Sequence, residues 1–131
     1  MKPIKVLVAD DHELFRRTLA EYLRAQEGVE VVGEAFDGED VVQQVERLHP
    51  DLILMDINMP RQNGFDASRA IKHRCPEMKV YIVSANEGDV YRTMAARNSV
   101  DGYVSKWTLK RDILALIGGL LSDRMATSYA A

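Results

Sequence analysis

Three carboxylates, one hydroxyl and one lysine each stand directly after a short run of aliphatic residues. Asp10 and Asp11 follow Ile4–Ala9, Asp56 follows Leu52–Met55 with Asn58 two residues on, Ser84 follows Val80–Val83, and Lys106 closes the stretch around Tyr103–Val104. Taken singly, each residue has an ordinary explanation. An Asp pair ahead of a helix supplies a cap and a favourable charge for the dipole. An Asp before a loop makes a turn, a lone serine is a cap, and a lone lysine is a solvated side chain. Brought to one crevice they describe different chemistry. Three carboxylates repel one another unless a cation lies among them. Oxygen ligands alone select a hard ion, and Mg²⁺ commonly pairs a few carboxylates with waters and a phosphate oxygen. An aspartate in that position is a nucleophile toward phosphorus, giving an acyl phosphate. A lysine and a hydroxyl would then balance the remaining phosphoryl oxygens.

The elements that must position these residues are legible as an alternation of short apolar runs and longer helical patterns. Ile4–Ala9 is a strand pattern, and Glu13–Gln26 follows with Phe15, Leu19, Tyr22 and Leu23 on one helical face. Val29–Ala35 is a second strand. Asp37 is placed as the N-cap of a helix bearing Val41, Val42, Val45 and Leu48. Pro50 ends that unit and Leu52–Met55 is the third strand. Phe65–Arg74 carries Phe65, Ser68 or Arg69, and Ile71 at helical spacing, and Pro76 stops it. Val80–Val83, a weaker helix over about Glu87–Asn98, and a short strand at Tyr103–Val104 come next. Thr108 caps a last helix with Ile113, Leu116, Ile117 and Leu120. Strands that are apolar throughout and separated by helices imply a parallel sheet covered on both faces. Right-handed crossovers then predict an α/β fold, a doubly wound five-stranded parallel sheet of flavodoxin-like order 2-1-3-4-5. In such a sheet the ligand crevice lies outside the carboxyl ends of the strands, where all five residues arrive.

Bulk properties narrow the function class. The chain has 131 residues, 47% hydrophobic and 28% charged, and a formal net charge of -3. That is the balance of a single globular domain. No basic stripe tracks a phosphate backbone, so nucleic-acid binding by this segment alone is not expected. Neither a signal-peptide pattern nor a membrane span is present, and the expected compartment is the cytoplasm. Cys75 is the one cysteine, expected as a reduced thiol. From Ser122 to Ala131 the periodicity fades, so the expected domain is 1–121, with 122–131 a frayed tail or the start of a linker.

Four blocks, V-L-V-A-D-D-H-E-L-F-R, D-L-I-L-M-D-I-N-M-P-R-Q-N-G, V-S-A and D-G-Y-V-S-K, occur in order at the strand ends. Together they resemble the receiver domain of two-component response regulators, over about Lys5–Leu121. The D-D-H opening and the non-proline after the lysine resemble the subfamily with LuxR-type (NarL/FixJ-like) DNA-binding output. The resemblance implies Asp56 as phospho-acceptor. It implies Asp11, Asp56 and the Asn58 backbone carbonyl as Mg²⁺ ligands, with Asp10 binding through water. Lys106 would pair with the phosphate, Ser84 and Tyr103 would be the switch pair, and Ala85 would leave the phosphate room. It further implies a sensor histidine kinase as donor, an output domain outside this segment, and a signalling role rather than enzymatic turnover.

Several positions depart from the family pattern or lie outside it. Trp107 follows the lysine where many receivers have a cis proline, and a cis bond before Trp would cost about 3 kcal/mol. Asn98-Ser99 replaces a frequent glycine, and Gly88 weakens the helix that contains it by up to about 1 kcal/mol if interior. Asn58 and Asn86 lie where side chains could reach an attacking water. Leu114 and Leu121 widen the apolar stripe of the last helix, as a homodimer face or as two exposed leucines. Leu14 falls off the first helix's core stripe beside the acidic pair, where it could help dock the kinase. Arg69, Lys72, His73 and Arg74 read as a solvated helix face. Two other classes compete: a phosphatase resembling the haloacid dehalogenase group, and an unphosphorylated pseudo-receiver module. The first is disfavoured because Asn58 replaces that group's second aspartate and the acidic pair comes first in the chain. The second is disfavoured because the acidic pair and the lysine are all kept.

Overall fold

A computed structural model describes residues 2–85, 93, 94, 97 and 100–130, with side chains described as far as Met125. In chain order it contains β1 (Ile4–Ala9), α1 (Glu13–Arg24), β2 (Val29–Ala35), α2 (Gly38–Leu48), β3 (Leu52–Met55), α3 (Gly64–Arg74), β4 (Lys79–Ser84), β5 (Gly102–Ser105) and α4 (Leu109–Ala130). Thr93, Met94 and Arg97 are helical. Asn86, Gly88, Asn98 and Ser99, and with them most of the expected Glu87–Asn98 helix, lie outside the described residues.

The sheet is wholly parallel in the order β2-β1-β3-β4-β5, as the alternation predicts. Alternate residues of each strand face opposite layers, and the core divides accordingly. Leu7, Ile53, Val80 and Ile82 pack with Val41, Val45, Phe65 and Ile71 of α2 and α3 on one face. Val6, Val8, Leu54, Val83 and Val104 pack with Leu19, Leu23, Ile113 and Ile117 of α1 and α4 on the other. Both faces are covered, which is why β1 and β3 are apolar at nearly every position.

Helix starts follow the capping chemistry, with one correction. Asp37 accepts from the Asp40 N–H at 2.7 Å and Asn63 from the Asp66 N–H at 2.9 Å. The first helix is capped not by the Asp pair but by His12, whose Nδ1 accepts from the Phe15 N–H at 3.3 Å. Both carboxylates of the pair are thereby left for other work. In α3 the ambiguous stripe position resolves to Ser68, fully buried, while Arg69 is exposed and pairs with Asp66. The basic group on α3 is not simply solvated either: Lys72 bonds Asp101 at 2.6 Å and Arg74 pairs with Glu46.

The loss of periodicity at Ser122 does not end α4, which continues to Ala130. No proline intervenes beyond Ser122, and Arg124 anchors the extra turns. Its guanidinium donates to the carbonyls of Lys2 and Pro3 at 2.8 and 2.7 Å and meets Asp51 at 3.0 Å. Of the two leucines beside the core stripe, Leu114 is exposed, while Leu121 joins the α1–α4 core and lies over Gly28.

Candidate functional site

The sheet delivers the five residues to one edge through its own hydrogen-bond ladder. Ala9 pairs with both Ala35 and Met55, so β1, β2 and β3 end level. One further bond beyond each strand fixes the next residue: Asp10 N–H to the Ala35 carbonyl at 3.0 Å, Asp56 N–H to the Ala9 carbonyl at 2.9 Å, and Lys106 N–H to the Ser84 carbonyl at 2.9 Å. Backbone held this way positions the attached side chains with little freedom. Gly64, at the start of α3, closes the loop behind Asp56. A Cβ there would lie 2.3 Å from the Asp56 carbonyl oxygen, so only glycine permits the approach.

Carboxylate oxygens of Asp10, Asp11 and Asp56 all lie within 4.8 Å of one another. Asp10 and Asp56 are buried and Asp11 is exposed. The Lys106 ammonium sits 3.0 Å from Asp10 Oδ2 and 4.0 Å from Asp56 Oδ1, and 4.2 Å above the Phe15 ring. Asp10 Oδ1 accepts from the His12 N–H at 2.8 Å, and Asp56 Oδ1 accepts from the Ile57 N–H at 2.9 Å. Burial pushes the Asp56 carboxyl up to about 6. The Asp10 charge adds to the rise and Asp11 contributes a little more, while Lys106 and the Ile57 N–H oppose it.

That balance bears on whether a cation belongs here. Three carboxylates face one ammonium, and Asp56, buried and set beside Asp10, holds its proton more tightly. An all-oxygen donor set with two negative charges in excess fits a divalent hard ion. Asp10, Asp11 and Asp56 are the residues that could hold it.

The other expected residues lie on the remaining strands, loops and the start of α1. Ser84 is buried at the end of β4, opposite Ser105 in the β4–β5 register, and Ala85 is exposed beyond it. Tyr103 is half-buried, opposite Ile82, and packs against the α2–α3 core. Asn58 is exposed on the loop after β3. Trp107 is 74% exposed, and its peptide bond with Lys106 is trans. Leu14 is equally exposed, one turn along α1 from the acidic pair.

Some supporting residues carried no signal in the sequence. Phe15 reads as ordinary core but serves as the platform under Lys106. Arg16 donates to the Asp10 carbonyl at 3.0 Å and to Glu34 at 3.2 Å, tying the end of β1 to β2. Arg61, on the loop after β3, pairs with the capping carboxylate of Asp37.

Comparison with known proteins agrees with this architecture. The response regulator receiver domain family matches residues 6–118. Among curated relatives, VraR of Staphylococcus epidermidis is 42% identical over 112 residues, 84% of this chain and 53% of that protein. The transcriptional regulatory protein DegU of Brevibacillus brevis is 40% identical over 103 residues, 79% of this chain and 44% of the relative. The chain thus spans about half the length of the curated relatives it matches. The solved receiver domain of NarL from Mycobacterium tuberculosis superposes with a TM-score of 0.83 at 27% identity, covering 91% of this chain and 99% of the other. With the family match over most of its length and the acidic cluster at its strand ends, the chain belongs to the receiver domains of two-component response regulators.

Proposed function

We propose that this domain takes a phosphoryl group from a sensor histidine kinase onto Asp56, with Mg²⁺ held by Asp11, Asp56 and the Asn58 carbonyl and by Asp10 through water. The observation that carries the reading is Lys106 standing between the acidic pair and a buried Asp56 whose carboxyl is held near 6. When bound, the ion supplies charge neutralisation for the carboxylates and for the transferring phosphoryl oxygens. The protein's own residues do the rest. Asp56 Oδ1 is engaged by the Ile57 N–H, so the second carboxylate oxygen attacks phosphorus. An O–P bond forms, the P–N bond of the donor phosphohistidine breaks, and its electron pair goes to the departing imidazole. Lys106 shifts from Asp10 toward the new phosphoryl group, and Ala85 leaves room for it. Treating the phosphorylated protein with borohydride should convert Asp56 alone to homoserine, read by peptide mass. Conversion at another position would reject the assignment.

The signal then passes through Ser84 and Tyr103. The Ser84 hydroxyl moves toward the phosphoryl group, and the Tyr103 ring turns inward, reshaping the β4–β5 edge. Ser84→Ala should still be phosphorylated but should lose most of the difference between its two states, measured as amide hydrogen-exchange protection in β5 and α4. An undiminished difference would remove Ser84 from the switch.

The groove between α1 and the start of α4, about 560 Å³ and lined by Phe15, Tyr22, Trp107 and Lys110, opens beside Lys106. With exposed Leu14 it forms the surface on which the kinase docks. The relatives' extra length and the DegU description support a role in transcription through an output domain outside this segment. Exposed Leu114 on α4 supports homodimer contact. Among the described residues no helix is long and apolar enough to cross a membrane.

A further inference from the structure

We infer that Arg61 is a positioning residue for the cation site: its ion pair with buried Asp37 clamps the β3–α3 loop, which carries the Asn58 carbonyl, onto the first turn of α2. The inference rests on the metal-site reading above, because only a ligand on that loop gives the clamp a chemical consequence.

The loop from Asp56 to Asn63 is tied at its base and pressed at its middle. At the base, the Met59 and Gly64 N–H groups both donate to the Ile57 carbonyl, at 3.1 and 2.8 Å. At the middle, a Cβ on Gly38 would lie 1.9 Å from the Gln62 carbonyl oxygen, so the loop backbone rests directly on the start of α2. The Gly38 N–H reaches the Pro60 carbonyl at 3.5 Å, a long bond that holds weakly. The second tie is ionic, between the buried Asp37 and an exposed Arg61. The Asp37 side chain is 3% exposed; one oxygen accepts from the Asp40 N–H as the helix cap, and the other receives the Arg61 guanidinium.

Two features separate this pair from an ordinary surface salt bridge, which contributes little. The acid is buried, so removing Arg61 leaves a charge whose side chain has one remaining partner among the described residues, the cap amide. Arg61 also holds a left-handed backbone, φ 67, which a non-glycine residue adopts at a cost. An arginine thus stands where the backbone alone would favour glycine. Asn58 is three residues away along a short loop, so loosening Arg61 loosens the segment whose carbonyl is assigned to the cation above. A group bonded directly to a metal ligand typically strengthens metal binding about 10- to 100-fold; Arg61 acts one step further out, so its effect belongs at the low end of that range.

The test is a calorimetric Mg²⁺ titration of the whole chain without any phosphoryl donor. Wild type should bind the ion, and Asp11→Asn should abolish binding. Arg61→Gly keeps the left-handed backbone while deleting the ion pair, and should weaken Mg²⁺ about tenfold; Arg61→Lys should recover most of the loss. Asp37→Asn keeps a competent cap and should weaken Mg²⁺ similarly. The double variant should be no weaker than either single. Folded Arg61→Gly binding as wild type does would overturn the clamp. Were Arg61→Gly to unfold, Asp37→Asn with unchanged affinity would overturn it equally. No Mg²⁺ binding by wild type would instead remove the metal-site reading on which the clamp depends.

Discussion

Lys106→Ala is expected to take up phosphate on Asp56 about 10²- to 10³-fold more slowly than wild type, the usual cost of deleting a preorganised charge at the reacting group. The ammonium lies 3.0 Å from Asp10 and 4.0 Å from Asp56, and it is the one cation paired with Asp56 among the described residues. Negative charge gathers on the phosphoryl oxygens during transfer, and a cation already held over Phe15 between Asp10 and Asp56 needs only a short shift to meet it. The variant also separates two roles. Removing a positive charge from a crevice of three carboxylates cannot weaken its attraction for a divalent ion, so Mg²⁺ affinity should hold or tighten while transfer slows. A quenched time course by intact mass, beside a Mg²⁺ titration, reads both quantities. Uptake within about threefold of wild type would show that Lys106 serves the fold and not the transfer.

Asp56→Asn is expected to make the metal-free protein more stable at neutral pH. The Asp56 carboxyl is pushed up to about 6 in the folded state, from 3.8, first by burial and then by Asp10. A carboxyl with a raised pKa binds its proton more tightly when folded, so stability falls as pH rises from about 4 to about 6. The shift corresponds to at most about 3 kcal/mol, which water in the open crevice screens to about 1–2 kcal/mol. In chelator, the variant should therefore exceed wild type by that amount at pH 7.5, with the gap closing toward pH 4.5. Millimolar Mg²⁺ should then stabilise wild type and leave the variant nearly unchanged. Denaturant melts at the two pH values check this. Equal stabilities at pH 7.5, or a gap that widens in acid, would show that the Asp56 charge is not strained.

The residues that the sequence places at strand ends are the ones the fold brings together, and the reason is local. Strands buried on both faces must be apolar throughout, so Ile4–Ala9 and Leu52–Met55 end visibly, and the first polar residue after each is at the crevice by construction. Caps were legible for the same reason at Asp37, where a side chain bonds its own helix. Wherever a side chain acts across the chain, the pattern is silent. His12 takes the capping role that the Asp pair equally suited. Arg124 extends α4 beyond its periodic stretch by reaching carbonyls more than 120 residues away in sequence. Arg61 looks like any loop arginine until the fold sets it against Asp37. Phe15 has the spacing of a core residue and packs, partly buried, against the core, yet its ring also carries Lys106.

The central claim, that Asp56 is a metal-dependent phospho-acceptor, is tested most directly by intact mass after incubation with acetyl phosphate and Mg²⁺. A single added phosphate is expected, absent in Asp56→Asn and absent when Mg²⁺ is chelated. A folded protein that gains no phosphate, or one that gains it equally in Asp56→Asn or without metal, would contradict the account.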